Sequence, residues 1–283
     1  MKIFKSLKIG KQEFEFGRKT YVMGILNITP DSFSDGGNYG GVEEAVRRAH
    51  EMVAEGAHII DIGGESSRPG ADYVDEEEEL KRVLPVVKRL VQEIDIPVSI
   101  DTYKAGVAKS CIEAGAQIIN DISGLKGDSK MAETAAKLGV PCILMHMRGT
   151  PKTMQNNPNY DELMKNLKNE LQESIDLARE AGIKTENIIL DPGIGFAKTS
   201  VHNLEILRDL KKLGDMQYPL LVGASRKRFI GEILDAKADE RLEGSLAVAV
   251  VSAWEGAHIL RVHDVAETVK VLKVTDAIKN IMN

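Results

Sequence analysis

Hydrophobic residues in this chain alternate between two patterns. Short apolar runs fall near residues 21–26, 58–62, 97–101, 117–121, 140–145, 187–191, 219–223 and 258–262. Runs of this length predict buried strands of a parallel sheet. Amphipathic stretches fit for helices lie between them, for example 42–55, 76–94, 104–114, 160–181 and 244–255, and a last one at about 265–281 follows the eighth run. A loose repeat ties the two patterns together. Gly56-Ala57-His58-Ile59-Ile60-Asp61 recurs as Gly115-Ala116-Gln117-Ile118-Ile119-Asn120 and as Gly256-Ala257-His258-Ile259-Leu260-Arg261, with a weaker copy from Gly182-Ile183 to Asn187-Ile188-Ile189-Leu190-Asp191. Each copy joins a helical pattern, a glycine suited to the position just past a helix, and a short strand ending in a polar residue. The irregular spacing excludes a solenoid. Eight βα units, with no linker or low-complexity segment across residues 1–283, predict one α/β domain, a (β/α)8 TIM barrel rather than an open doubly wound sheet. Met1 to Gly17 is charged and strand-like around a Gly10-Lys11 turn, and predicts a short N-terminal β-hairpin.

Composition narrows the function classes. Hydrophobic residues make up 43% of the 283, enough for a full core, and the formal net charge of −6 argues against nucleic acid or an anionic membrane as main partner. A local basic site for a small anion stays compatible with that charge. Cys111 and Cys142 lie in apolar surroundings without disulfide or metal spacing, which fits a reducing cytoplasm. The N-terminal segment does not read as a signal peptide, and no apolar run is long enough to span a membrane.

The predicted strands end in polar residues: Asn27; Asp61 with Glu65; Asp101; Asn120 with Asp121; His146; Asp191; Ser225 with Lys227; Arg261 with His263. In such a barrel these ends converge on one face, where active sites lie. Singly, each also reads as a cap or turn residue; Asp191-Pro192-Gly193 is a turn by itself, and Asp101-Thr102 suits a helix cap. Asp61 and Asp121 read mainly as structural, His146 as a hydrogen-bonded rim residue, and His50, His58, His202 and His258 are assigned no chemistry. Asp75 to Glu79 reads as the acidic first turn of a helix, favoured by the helix dipole. Acidic groups, amides and a cation from so many strands nevertheless point to a ligand. Aspartates and an asparagine satisfy the donor edge of a flat heterocycle, and a lysine donates to its carbonyl. Met145 and Phe196, where they face such a pocket, pack against its ring.

The run from Met23 to Gly37 turns abruptly from apolar to polar. Asn27, Asp31 and Asp35 place three oxygen donors past a strand end, a set suited to a hard cation such as Mg2+. Pro30, Gly36 and Gly37 mark an irregular loop. An Asx-rich turn with purely local causes is the alternative.

That run closely resembles the N-terminal signature of the dihydropteroate synthase family, pterin-binding enzymes of folate biosynthesis. Gly63-Gly64-Glu65-Ser66-Ser67-Arg68-Pro69-Gly70 is similar to the family's second loop. Ser99-Ile100-Asp101-Thr102, Ile119-Asn120-Asp121-Ile122, Asp191-Pro192-Gly193-Ile194-Gly195-Phe196, Gly223-Ala224-Ser225-Arg226-Lys227 and Arg261-Val262-His263-Asp264 follow in family order. Ser67 departs from the Thr of many members; it keeps the hydroxyl and loses a methyl.

The resemblance implies a transferase that joins 6-hydroxymethyl-7,8-dihydropterin pyrophosphate to p-aminobenzoate, giving 7,8-dihydropteroate and pyrophosphate, and that p-aminobenzoate mimics such as sulfonamides target. It implies that Asp101, Asn120, Asp191 and Lys227, with Met145 and Phe196, hold the pterin. Asn27, Arg261 and His263 take the pyrophosphate, helped by the following helix N-terminus. Phe33, Ser67, Arg68, Pro69, Ser225 and Lys227 border the p-aminobenzoate. Mg2+ is the implied cofactor, held by Asn27 and, once the first loop closes, by Asp35. Asp101, Lys227 and Asp35 are the expected catalytic residues, while Asp31 passes to a less defined role in the lid. The family forms homodimers, and the helices at 244–255 and 265–281 are the candidate surface, with Trp254 alternatively in the core.

No Ser–His–Asp or Cys–His arrangement supplies a nucleophile. A good leaving group makes one unnecessary, and a dissociative substitution without a covalent intermediate is expected, with positive charge on the pterin methylene stabilised by Asp101. Three rivals share parts of the pattern. A methyltetrahydrofolate-using methyltransferase would use the same Asp and Asn site but needs neither loop and requires a corrinoid partner. A silent folate-binding barrel would lack Asn27, Lys227, Arg261 or His263, all present here. A phosphate-binding aldolase would use Lys227 as a Schiff-base lysine.

Overall fold

The computed structural model describes residues 6–28, 37–68 and 70–281, with side chains throughout except at 37–40. Asp31, Phe33, Asp35 and Pro69, all singled out above, lie outside the described residues.

A hairpin of β1 (Ser6–Ile9) and β2 (Gln12–Glu15) opens the chain. Eight parallel strands follow: β3 (Tyr21–Asn27), β4 (Ile59–Gly63), β5 (Val98–Asp101), β6 (Ile118–Asp121), β7 (Cys142–Met145), β8 (Ile188–Asp191), β9 (Leu221–Val222) and β10 (Ile259–Val262). They are hydrogen-bonded in the order β8-β7-β6-β5-β4-β3-β10-β9. A parallel bridge between Leu190 and Leu220, with the Leu190 N–H donating to the Pro219 carbonyl at 2.9 Å, joins the two ends. The result is the expected (β/α)8 barrel. Its helices are α1 (Gly37–Glu55), α2 (Glu76–Glu93), α3 (Ala105–Glu113), α4 (Met131–Leu138), α5 (Leu163–Glu180), α6 (Ser200–Arg208), α7 (Arg228–Leu234), α8 (Leu242–Trp254) and α9 (Val265–Ile281).

Alternation along each strand sorts the core into two bodies. Val22, Ile60, Ile62, Val98, Ile100, Ile119, Leu144, Leu190, Val222 and Leu260 face outward and pack with the helices. Met23, Ile59, Ile118, Ile143, Ile189, Leu221 and Ile259 face inward and form an apolar floor, covered from below by Leu7, Ile9, Phe14 and Phe16 of the hairpin. The predicted hairpin therefore plugs the N-terminal mouth of the barrel, which leaves the C-terminal mouth as the open one.

The sequence repeat has a physical cause. The Nδ1 of His58 accepts from the Val22 N–H at 3.0 Å, the Gln117 amide oxygen from the Val98 N–H at 2.7 Å, and His258 Nδ1 from the Leu220 N–H at 3.0 Å. The residue just before β4, β6 and β10 thus satisfies a backbone donor in, or next to, the strand beside it. Asn187, at the same place in the weaker copy, instead donates to the Gly139 carbonyl at 2.9 Å. The glycines of the repeat, Gly56, Gly115, Gly182 and Gly256, all have φ between 97° and 115°, the left-handed region that ends a helix without Cβ strain.

Differences from the sequence expectation are local. Helix α1 starts at Gly37, inside the stretch assigned to a loop, and α5 starts at Leu163 rather than 160, because Tyr160 is used to bond the Ala197 carbonyl at 2.9 Å. Helices α4, α6 and α7, of 8, 9 and 7 residues, fill βα units for which the sequence expectation gives no helix bounds. The acidic first turn of α2 is present as Glu76 to Glu79, capped by Asp75, which accepts from the Glu78 N–H at 2.8 Å, and the Glu79 side chain within it is buried.

Gln117→Leu should strand the Val98 N–H and lower stability by about 1–3 kcal/mol in urea unfolding. An unchanged unfolding midpoint would show that this repeat position carries no such bond.

Candidate functional site

The strand phase that builds the apolar floor also brings Asp61, Asp101, Asn120, Met145, Asp191 and Arg261 inward, one layer higher. Register places Asn120 beside Asp101, and Asp61 beside Ser99, in neighbouring strands. Charge crowds together as a consequence. Arg261 Nε donates to Asp61 Oδ2 at 2.6 Å, and an Nη of the same guanidinium donates to Asp101 Oδ2 at 2.6 Å. Asn120 Nδ2 donates to the same Asp61 oxygen at 3.1 Å. Burial opposes the charge on Arg261, but Asp61 and Asp101 outweigh it and raise its pKa. Burial raises the pKa of Asp101 against the attraction of Arg261, and the nearby Asp61 carboxylate adds to the rise.

Asp61, which the sequence presents as mainly structural, stands at the centre of this cluster, fully buried, and holds both Arg261 and Asn120. Its Oδ1 has no hydrogen-bond partner among the described residues. The signal was its phase: Asp61 lies between Ile60 and Ile62 within a strand, where a carboxylate cannot be a simple cap. Asp121, one residue out of phase with Asn120, is structural as expected. It accepts from Ser123 N–H at 2.7 Å and from Leu125 N–H at 2.9 Å.

The β8 loop forms the opposite wall. Asp191 Oδ1 accepts from the Gly193 N–H at 2.7 Å, and burial lifts its pKa to about 6. Lys227 lies across the same loop, its Nζ 4.1 Å from the centre of the Phe196 ring. At Gly195 φ is +82°, which favours glycine, and a Cβ there would come 2.9 Å from Lys227 Cδ and push the lysine stem aside. Burial, then the neighbouring Arg261, lowers the Lys227 pKa to about 8. Met145 and Phe196 share one apolar cluster with Ile122, Met154 and Ala197, as a flat ring would need.

Sequence reasoning passed over Lys198. Its buried ammonium meets His146 Nδ1 at 2.9 Å and donates to the Phe196 carbonyl at 2.9 Å, and burial lowers its pKa to about 7. His146 is held on its other side by Glu170 at 3.0 Å, and burial keeps the ring neutral, its pKa near 4. His146 is the hydrogen-bonded rim residue expected, with Nδ1 accepting and Nε2 donating. A Cβ on Gly193 would collide with the His146 carbonyl, so the two loops touch here backbone to backbone.

The remaining site residues sit at the other strand ends. Ser225 Oγ bonds the His263 N–H at 3.2 Å and its Nδ1 at 3.1 Å. Burial, then Arg261, lowers the His263 pKa to about 4, so the imidazole is neutral and presents a single N–H. Asn27 Oδ1 and Asp101 Oδ2 flank Gly63, each 3.6 Å from where its Cβ would stand. Ser67 lines a hollow with Asp101, Thr102, Tyr103 and Ile122, and Arg68 is exposed beside it. Asn27, Asp101, Asn120, Met145, Asp191, Phe196, Ser225, Lys227, Arg261 and His263 therefore share one end of the barrel. Among the described residues, no three His, Cys, Asp or Glu side chains are grouped as a metal would need.

Residues 23–263 match the family of pterin binding enzymes. The chain is 51% identical to the dihydropteroate synthase of Clostridium beijerinckii, over 96% of this chain and 99% of that protein. It is 50% identical to that of Bacillus subtilis, over 94% and 90%. A dihydropteroate synthase from Clostridium difficile, crystallised in the presence of pteroic acid, is 47% identical and superposes with a TM-score of 0.89 over 94% of this chain and 98% of that one. The Xanthomonas albilineans enzyme with 4-aminobenzoic acid is 42% identical, with a TM-score of 0.91 over 97% and 98%. Fold, pocket and sequence agree: the chain belongs to the dihydropteroate synthase family of pterin-binding enzymes.

Proposed function

We infer that this pocket joins 6-hydroxymethyl-7,8-dihydropterin pyrophosphate to p-aminobenzoate, releasing pyrophosphate and forming 7,8-dihydropteroate. The observation that carries the reading is the meeting of Asp101, Asn120, Asp191 and Lys227 around an apolar cluster holding Met145 and Phe196. Carboxylates and an amide suit the amino and N–H edge of a pterin, and the Lys227 ammonium suits its carbonyl. Met145 and Phe196 supply the faces for its ring.

Asp101 and Lys227 act on the reacting groups. As the C–O bond to pyrophosphate breaks, positive charge grows on the pterin methylene, and the Asp101 carboxylate stabilises it in a site with little water. Arg261 and neutral His263 border the leaving group, the first with charge and the second with one N–H. Ser225 fixes the orientation of His263. Ser67, Arg68, Ser225 and Lys227, with Phe33 and Pro69 beyond the described residues, wall the p-aminobenzoate. Its amine attacks as an uncharged nucleophile, and no protein nucleophile takes part.

Mg2+ fits the donor set. Asn27 presents an amide oxygen at the strand end, beside the Asp101 carboxylate across Gly63. Mg2+ binds through few protein oxygens together with phosphates and water. Asn27 would hold it, with Asp35 from outside the described residues, and when bound it neutralises pyrophosphate charge.

We assign the chain to the cytoplasm and to a homodimer through α8 and α9. No helix among the described residues is long and apolar enough to cross a membrane. Trp254 is 47% exposed rather than core, and Val251, Val274 and Ile278 are exposed on the same two packed helices. Val274→Glu with Ile278→Glu should convert a dimer to monomer in sedimentation velocity; a wild-type monomer at micromolar concentration would remove the assignment.

The reaction itself is tested by pyrophosphate release from the dihydropterin substrate. Release should require p-aminobenzoate and Mg2+ together. The same assay should give a bell-shaped profile of kcat/KM against pH. Activity needs ionised Asp101 and Asp191, so it falls as pH drops through about 7, where Asp101 takes a proton, and further through about 6, where Asp191 does; it needs protonated Lys227, so it also falls as pH rises through about 8. Release without p-aminobenzoate, or a profile flat from acid to alkaline pH, would contradict this reading.

A further inference from the structure

A second buried ion cluster stands beside the pocket, and the chemistry above does not use it. Lys104 lies between β5 and α3, its side chain only 6% exposed. Its ammonium contacts Glu65 and donates to Glu79 Oε2 at 2.5 Å. The rings of Tyr103 and Tyr73 flank it at 4.5 and 5.0 Å. The Tyr103 hydroxyl donates to the other Glu65 oxygen at 2.9 Å. Burial opposes the Lys104 charge, but Glu65 and Glu79 outweigh it and raise its pKa. Burial also raises the pKa of Glu79, whose Oε1 has no partner among the described residues.

Such a cluster is a poor source of stability. Desolvating three charges costs about as much as their attraction returns, and a well-packed apolar trio serves as well or better. What the cluster does fix is position. Its members come from three elements: Glu65 from the segment after β4, Glu79 from the first turn of α2, and Lys104 three residues past Asp101. Glu65 leads directly into Ser66, Ser67 and Arg68. Its backbone is set against α2, because Arg82 donates to the Gly64 carbonyl at 3.0 Å and a Cβ on Gly64 would come 2.7 Å from Val83. Its side chain is set against the Asp101–Lys104 turn by Lys104 and Tyr103. Glu65, Ser66, Ser67, Asp101 and Tyr103 then line one small hollow.

We propose that Lys104 is a positioning residue for p-aminobenzoate: by holding Glu65 against the turn that carries Asp101, it sets how far the Ser67–Arg68 wall stands from the reacting centre. The inference rests on the function proposed above for the pocket. Of the residues assigned to the pterin, Asn120, Met145 and Asp191 stand on β6, β7 and β8, away from this cluster, and Asp101 is held separately by Arg261, so the two substrates should respond differently to its loss. A wall displaced by about 1 Å is enough to cost one to two orders of magnitude in a positioned reaction.

Two readouts on the full chain separate this inference from the reading beneath it. Amide hydrogen exchange, without substrates, should quicken in the peptide covering residues 62–68 in Lys104→Met and return toward wild type in Lys104→Arg. In pyrophosphate release, K104M should raise the KM for p-aminobenzoate about tenfold, with the KM for the dihydropterin pyrophosphate held within about twofold, and K104R should recover most of the loss. Tyr103→Phe removes one of the two ties on Glu65 and should move both readouts the same way, which covers the case of a K104M that does not fold. Unchanged exchange in either folded variant, or a loss falling equally on both substrates, overturns the proposal. A wild-type protein that releases no pyrophosphate overturns the functional reading, while the exchange result still decides whether Lys104 tethers the loop.

Discussion

A guanidinium buried in the middle of a β-barrel is tolerable only when carboxylates meet it, and Arg261 is met by two. Much of the pocket follows from that compensation. Asp61 is committed to Arg261 and to Asn120, which fixes the Asn120 amide in one orientation. Asp101 is committed through one oxygen and keeps the other for the pocket. Because Asp61 and Asp101 crowd the same cation, burial and mutual repulsion raise the Asp101 pKa toward neutrality. The carboxylate is thus held ready, poorly solvated, where a developing positive charge would gain most from it.

The far wall follows the same logic with the signs reversed. Lys198 is buried and Lys227 partly buried, and both have lowered pKa values. Lys198 grips the Phe196 carbonyl and His146, which fixes the loop backbone. Phe196 in turn lies under the Lys227 ammonium, and Gly195 leaves room for its stem. Position passes from one cation to the other through a single aromatic residue. Below them lies the apolar floor, covered by the hairpin.

The barrel was legible because eight apolar runs and a repeated helix–glycine–strand motif are local signals. The repeat also recorded a hydrogen bond that no local rule describes, from His58, Gln117 and His258 to the neighbouring strand. Polar strand ends were legible for the same reason: Asp101, Asn120 and Asp191 break apolar runs at their ends. Asp61 and Arg261 each sit between apolar residues within a strand, and their shared inward phase is what pairs them. Lys198, Glu79 and Lys104 were invisible, since each lies in helical or loop sequence and acquires meaning only from partners 25 to 52 residues away.

The account makes Asp101 the group that meets the growing charge, with Arg261 and Asp61 holding it in place. Calorimetric binding of the dihydropterin pyrophosphate, set beside single-turnover pyrophosphate release in Asp101→Asn, tests this most directly. The account predicts that binding stays measurable while the chemical step slows by about 10²- to 10³-fold, the cost of removing one preorganised electrostatic partner. Release at the wild-type rate would contradict it.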